Sequence, residues 1–157
     1  MKNFLLNLLS CFFTAITFTG FSVSVKIIHL QTEFRDQPLG LDIAQPRFSW
    51  QLQDSRRGAT QTAYRIFVSS DSMQLVNGNA DSWDSQKIIS DSSVLVTYKG
   101  KALQTMHRYF WQVEAWDQNG QSYGKSKIAS FETGLMNPQN WRATWISGPL
   151  PKDSASA

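Results

Sequence analysis

The sequence contains a single cysteine, Cys11, so no disulfide can form within the chain. Histidine is almost as scarce: His29 and His107 are the only two, and no HExxH or CxxC spacing accompanies them. A protein-held metal site needs clustered ligands, so no metal ligand is assigned. Neither GxGxxG nor GxxxxGK[ST] occurs, so nothing points to a dinucleotide or a nucleotide phosphate, and no cofactor is expected. Charge is also thin: 15 Lys and Arg stand against 12 Asp and Glu, and the longest basic run is Arg56-Arg57. Nucleic-acid binding calls for a basic face or stripe; these charges are scattered, so no nucleic-acid partner is expected. No segment repeats at a fixed period, which gives no support to a solenoid or propeller.

What the chain does have is aromatic bulk, with six Trp, ten Phe and four Tyr in 157 residues. A chain of this length suits one domain, large enough to bury a core without metals or disulfides.

The start reads as an address. Lys2 gives a short basic opening, and Phe4 to Phe21 carries no charge. This matches a secretory signal, and the small residues flanking Val23 in Ser22-Val23-Ser24 suit cleavage before Val25. Two alternatives stay open. The apolar stretch is near the length that spans a bilayer, although Asn7, Ser10 and several threonines dilute it. Leu8-Leu9-Ser10-Cys11 also loosely resembles a bacterial lipoprotein motif, although the residues after Cys11 stay apolar. Export to the bacterial periplasm, outer membrane or exterior is expected in each case, with membrane contact only through this segment.

After Val25 no 3.6-residue apolar period is sustained, and period-two alternation takes its place. Ile28, Leu30 and Thr32 alternate in the first candidate strand, then Phe48, Trp50 and Leu52, then Tyr64, Ile66 and Val68. Val94, Val96 and Tyr98 follow, then the clearest run of Tyr109, Trp111, Val113 and Ala115, and a last strand around 128–133. Turn-forming stretches separate them, the strongest being Asp117-Gln118-Asn119-Gly120, because Asn-Gly readily supplies positive φ. The expected fold class is therefore all-β, an antiparallel sandwich of about seven strands behind a signal segment. The run from Thr105 through Tyr109 and Trp111 to Gly120 resembles the sixth strand of fibronectin type III and Ig-like sandwiches, with Tyr109 as a tyrosine corner and Trp50 as the matching core aromatic.

Several ordered stretches sharpen this. They are Leu30-Gln31-Thr32-Glu33-Phe34 with Pro38-Leu39-Gly40-Leu41-Asp42, then Pro46-Arg47-Phe48-Ser49-Trp50-Gln51-Leu52. Arg56-Arg57-Gly58 with Gln61-Thr62-Ala63-Tyr64-Arg65-Ile66 follows, then Trp83-Asp84-Ser85 and the Tyr109–Gly120 run. Ser130-Phe131-Glu132-Thr133-Gly134-Leu135 and Trp141-x-Ala143-x-Trp145-Ile146 close the set. In this order, over about residues 27–148, they resemble the N-terminal domain of bacterial α-L-rhamnosidases of the large inverting glycoside hydrolase family. The resemblance implies a sandwich preceding further β-domains and a large (α/α) barrel, whose acidic residues hydrolyse terminal α-L-rhamnosides. That barrel is absent here. Trp141 to Ile146 reads as the first strand of a next domain and runs into a polar, Pro-broken tail. The expected organisation is a signal at 1–24, the sandwich at 25–135, and a linker, first strand and disordered tail at 136–157. The chain is thus expected to be a fragment whose natural partners are the downstream domains.

No residue is assigned a catalytic role. Glu33 with Asp36 and Glu114 with Asp117 are close in sequence, but proximity along the chain says nothing about carboxyl separation, and structural roles are favoured. Arg56-Arg57-Gly58 could clamp an anion, though a solvated turn is favoured. Trp83, Trp116 and Tyr123 lie at strand ends or in loops, where a sugar-stacking platform could form; packing against core or a neighbouring domain is favoured. The main expectation is an inactive scaffold domain of a rhamnosidase-like enzyme, and the alternative is a self-contained exported module that binds glycans or an envelope protein.

Overall fold

A pleated strand sends successive side chains to opposite faces, so alternating apolar residues bury one face of a sheet. In the computed structural model, which describes residues 25–137, 139 and 141–144, such runs build two antiparallel sheets. Along the chain the elements are β1 (Val25–Thr32), β2 (Arg47–Asp54), β3 (Gln61–Ser69), a short helix α1 (Ser72–Val76), β4 (Trp83–Asp84), β5 (Ile88–Ile89), β6 (Val96–Thr97), β7 (Arg108–Asp117), β8 (Ser122–Lys125) and β9 (Ala129–Glu132). The expected export signal, Cys11, the segment Trp145-Ile146 and the tail fall outside the described residues.

One sheet has the order β1-β2-β6. In the other, β3 pairs with β7 along most of its length; β4 and β5 share the outer edge of β3, and β8 and β9 share the outer edge of β7. Taking each shared edge as one strand position leaves three positions in the first sheet and four in the second. This is the all-β, Ig-like sandwich of about seven strands that the alternation predicts.

The core lies between the sheets. Phe48 and Trp50 of β2 face Tyr64, Ile66 and Val68 of β3, and Trp111, Val113 and Ala115 of β7. The Phe48 and Trp111 ring centroids are 4.5 Å apart, and the Trp50 indole donates a 2.9 Å hydrogen bond to Gln61 Oε1, so its one polar atom is satisfied inside the core. Outside the second sheet, α1 is capped by the Asp71 carboxylate, which accepts from the Met73 amide, and inserts Leu75 against β3 and β7.

Two strands depart from their predicted pattern. In β1 the core takes Ile27, Leu30 and Thr32 rather than Ile28, Leu30 and Thr32. His29 sits at φ 49°, and the pairing with β2 shifts register between Ile28 and Gln31. This bulge adds one residue, which reverses inward and outward parity from that point on. The predicted strand through Val94, Val96 and Tyr98 shrinks to Val96–Thr97. Leu95 adopts φ 55° and donates its amide to Ser49 Oγ, which breaks the ladder and leaves Val94 exposed.

Tyr109 behaves as a tyrosine corner. Its ring is buried, stacking on Phe131, and its hydroxyl accepts a 2.8 Å hydrogen bond from the Gln104 amide. The adjoining loop is stitched to the end of β9. Leu41 donates to Glu132 O, Gly134 donates to Leu41 O and Glu132 donates to Pro38 O, each at 2.8–2.9 Å. Gly134 lies so close to Asp42 and the Gly40 carbonyl that a Cβ there has no room.

Tyr109→Phe should lower unfolding free energy by about 1–2 kcal/mol, because it strands the Gln104 amide without removing ring packing. Urea denaturation should show an earlier midpoint with an unchanged slope; an unchanged midpoint would count against the corner as a stabilising contact.

Candidate functional site

The two ends of the sandwich differ in chemistry. At one end, the connection between β2 and β3 meets the turn between β7 and β8. Asp117 is fully buried there; its Oδ1 accepts from the Asn119 and Gln121 amides at 2.9 Å, and its Oδ2 accepts from Arg56 Nη1 at 2.7 Å. Arg56 also makes a two-pronged contact with Asp54, Nη2 to Oδ2 at 2.7 Å and Nε to Oδ1 at 3.1 Å. The Tyr123 hydroxyl is closed off from solvent beside Asp54, and the Arg56 guanidinium lies 5.9 Å from the Tyr123 ring centroid. Arg56 is therefore a clamp, as one reading of the sequence allows, but the anions it grips are internal. The solvated turn favoured for this stretch does form at the exposed Arg57 and Gly58, but Arg56 itself is drawn into the ion network. The reason is the burial of Asp117, whose charge needs a partner in low dielectric. The sign of the shifts agrees. Arg56 holds the Asp54 carboxyl down at about 2. Burial alone would push Asp117 up, but Arg56 and the two turn amides outweigh it and keep the carboxyl below its ordinary range.

Four further carboxylates are similarly occupied. Glu33 binds Arg47 through both oxygens, the shortest contact being 2.6 Å, and does not pair with Asp36. Glu114 accepts from Ser122 Oγ at 2.6 Å, while Asp117 serves the turn beyond it. Asp84 takes Arg65 through two bonds. Burial pushes Asp81 up, yet hydrogen bonds from Ser70 and Ser82 hold it at about 2. Among the described residues no group of three His, Cys, Asp or Glu could hold a metal ion.

Gly120-Gln121-Ser122-Tyr123-Gly124 has the GxSxG spacing of a nucleophile elbow, a pattern absent from the expectations above. An elbow requires a strand-to-helix turn that presents the serine to a histidine. Here the five residues span a hairpin into β8, and Ser122 Oγ is shared between Glu114 and the Gly124 amide, with no histidine bonded to it. The spacing is a consequence of turn glycines at positive φ, Gly120 at 75° and Gly124 at 76°.

The three aromatic rings considered for sugar stacking are separated and covered. Trp83 packs into the core against Phe48 and Tyr98. Trp116, on the outer face of the second sheet, carries Lys87 Nζ 4.3 Å from its ring centroid. Tyr123 is half-buried in the ion network. Phe67, on the same outer face as Trp116, is flanked by Arg65 and Lys125 at 4.7 and 4.5 Å. Cations on these rings leave no bare aromatic platform among them.

The other end exposes several large apolar side chains beside the charged Arg35, Asp36 and Asp42. It is formed by the connection between β1 and β2, the approach to β7 and the exit from β9. Met106 donates its amide to Gly134 O, Thr133 donates to His107 O, and Leu41 bridges Thr133, so the three segments are joined. Phe34, Leu39, Ile43 and Met106 are exposed on it, and the chain leaves from it towards the exposed Trp141.

Comparison with known proteins gives this geometry a family. Residues 27–137 match the model of the Rha78A-like N-terminal immunoglobulin domain. The chain belongs to that family. It is 41% identical over 132 residues to an α-L-rhamnosidase of Streptomyces avermitilis, covering 84% of this chain and 13% of that protein. It is 38% identical over 143 residues to an α-L-rhamnosidase of Formosa agariphila, covering 90% and 15%. The solved structure of the S. avermitilis enzyme with L-rhamnose superposes with a TM-score of 0.76 over 80% of this chain and 12% of that one, at 41% identity. The structure of α-L-rhamnosidase from Dictyoglumus thermophilum gives 0.76 over 79% and 14%, at 40% identity. The chain thus spans roughly an eighth of the length of these relatives, and the part it matches is the rhamnosidase N-terminal Ig-like domain.

The depressed carboxyls set an acid limit for this rhamnosidase-family domain. A group whose folded pKa lies below its unfolded value of about 4 stabilises the fold above that value and loses the contribution as pH falls towards the folded pKa. With Asp54 and Asp81 at about 2, and Asp117, Asp84 and Glu33 also lowered, the urea midpoint should drop steadily from about pH 4 to pH 2. Arg56→Met should lower the midpoint at pH 7 and flatten this dependence; an unchanged acid profile in the variant would contradict the assigned role.

Proposed function

We propose that this chain is the non-catalytic N-terminal scaffold of an exported α-L-rhamnosidase, and that hydrolysis of terminal α-L-rhamnosides belongs to the larger part of the polypeptide that follows this domain in its relatives. One observation carries the reading: the match to the rhamnosidase N-terminal domain takes in residues 27–137, nearly the whole sandwich, yet accounts for only 12–15% of each enzyme compared. The local chemistry supports it. An inverting glycosidase needs two free carboxyls about 6.5–9.5 Å apart, one as acid and one as base. Here one or both members of each pair that the sequence brings close are engaged, Glu33 by Arg47, Glu114 by Ser122, and Asp117 by Arg56 and turn amides. Export rests on the charge-free run from Phe4 to Phe21 behind Lys2. The alternative of a self-contained glycan-binding module finds no support in the covered rings.

The test is a chimera of the S. avermitilis enzyme in which residues 25–137 of this chain replace its own first domain. The chimera should hydrolyse an aryl α-L-rhamnoside, while the 157-residue chain alone should release no product. Turnover by the chain alone, or a well-folded but inactive chimera, would overturn the reading.

A further inference from the structure

We propose that the end of the sandwich made by residues 33–43, 104–107 and 133–136 is the docking surface for the domain that follows in the polypeptide, and that strained backbone presents its anchors. The proposal rests on the rhamnosidase reading and names the partner it implies.

The first observation is strain coupled to exposure. Phe34 adopts φ 61° and is 58% exposed, and Met106 adopts φ 51° and is 72% exposed. A side chain at positive φ crowds its own backbone, which is why glycine is the usual occupant of that region. Hydrogen bonds between Thr32 and Arg35, and from Met106 to Gly134, hold these angles, but glycine would accept them at less cost, and neither bulky side chain gains burial within the domain. Such outliers persist where a contact outside the immediate fold makes use of them. Exposure alone does not identify this surface, because Met73, Val76, Ile89 and Val94 are also exposed elsewhere. Each of those four has ordinary negative φ. Strain and exposure coincide only at Phe34 and Met106 among the described large apolar residues, and both lie at the same end.

The second observation is rigidity. The Phe34 loop is pinned by reciprocal 3.0 Å backbone hydrogen bonds between Thr32 and Arg35, and by Glu33, whose carboxylate accepts from the Arg47 amide and side chain. Leu39 is carried on the segment stitched to Glu132 and Gly134, and the Met106 amide donates to Gly134 O at 3.0 Å. The anchors are therefore held in place before any partner arrives, which reduces the ordering cost of binding.

The third observation selects the occupant. The chain leaves the sandwich at Gly134, the residue that fastens Met106 and the Leu41 loop, and continues towards the exposed Trp141. In the relatives this domain is N-terminal and the rest of a much longer polypeptide follows, so the next domain emerges beside this face. The opposite end, where β1 begins, is closed by the Arg56–Asp117 pair.

Glycine separates strain from contact. In the 157-residue chain alone, Phe34→Gly and Met106→Gly should leave the thermal midpoint unchanged or raise it, since glycine accepts the backbone angle and the lost side chain was in water. In the S. avermitilis chimera the same substitutions should lower the midpoint by about 2–4 °C each. Leu39→Asp should lower the midpoint of the chimera but not of the chain, and Ile89→Asp, on the edge strand β5, should change neither. If the unsubstituted chimera is active and these substitutions leave its midpoint unchanged, or lower both proteins equally, the docking surface is wrong and the rhamnosidase reading stands. If the unsubstituted chimera folds without activity, the rhamnosidase reading fails and the docking proposal falls with it.

Discussion

The Phe48 ring touches those of Trp83, Tyr98, Trp111 and Phe131, so one side chain of β2 connects the first sheet to the edge, centre and far side of the second. Everything else in the sandwich depends on that inter-sheet contact. Two antiparallel sheets have no covalent cross-link here, and their union rests on aromatic surface removed from water. Trp50 adds a second layer beside it, with its indole N–H satisfied by Gln61 so that the bulk is buried without an orphaned donor. Tyr109 then ties this core to the loop before β7 through the Gln104 amide, and that loop is in turn bonded to the exit of β9.

With the sheets joined, the ends are left to specialise. At one end a buried carboxylate recruits Arg56, and the turn amides complete its shell, so the charge is used up inside the domain. At the other, the loops are equally well pinned but present Phe34, Leu39, Ile43 and Met106 outward. A domain built this way satisfies its charge internally at one end and presents apolar side chains to solvent at the other. The outer face of the second sheet follows a third pattern, with Arg65, Lys87 and Lys125 laid over Phe67 and Trp116, which protects aromatic surface from promiscuous stacking.

Much of this was legible in the residues. The alternation through Phe48 and Trp50, Tyr64 to Val68 and Tyr109 to Ala115 marks strands that are central in their sheets, where neighbours on both sides enforce regular pairing. The Asp117-Gln118-Asn119-Gly120 turn and the Tyr109 corner are local devices whose chemistry is written within a few residues. Edges were harder. The His29 bulge and the break at Leu95 occur where one flank of the strand is unpaired or briefly paired, so the backbone is free to leave the ladder. Nor could the spacing of Arg56 and Asp117, 61 residues apart, announce their ion pair.

By itself, then, the sequence determined the all-β class, the strand-forming runs, the turn chemistry and the family, because each depends on residues near one another or in a fixed order. Only the tertiary structure decided which carboxylates are occupied, which aromatic rings are covered, and which exposed apolar side chains share one end. Those properties arise from segments distant in the chain meeting across the sandwich, and local pattern carries no record of such meetings. The strain at Phe34 and Met106 belongs to the same category: a positive φ on a bulky residue runs against local preference, and it exists only because hydrogen bonds from elsewhere in the fold impose it.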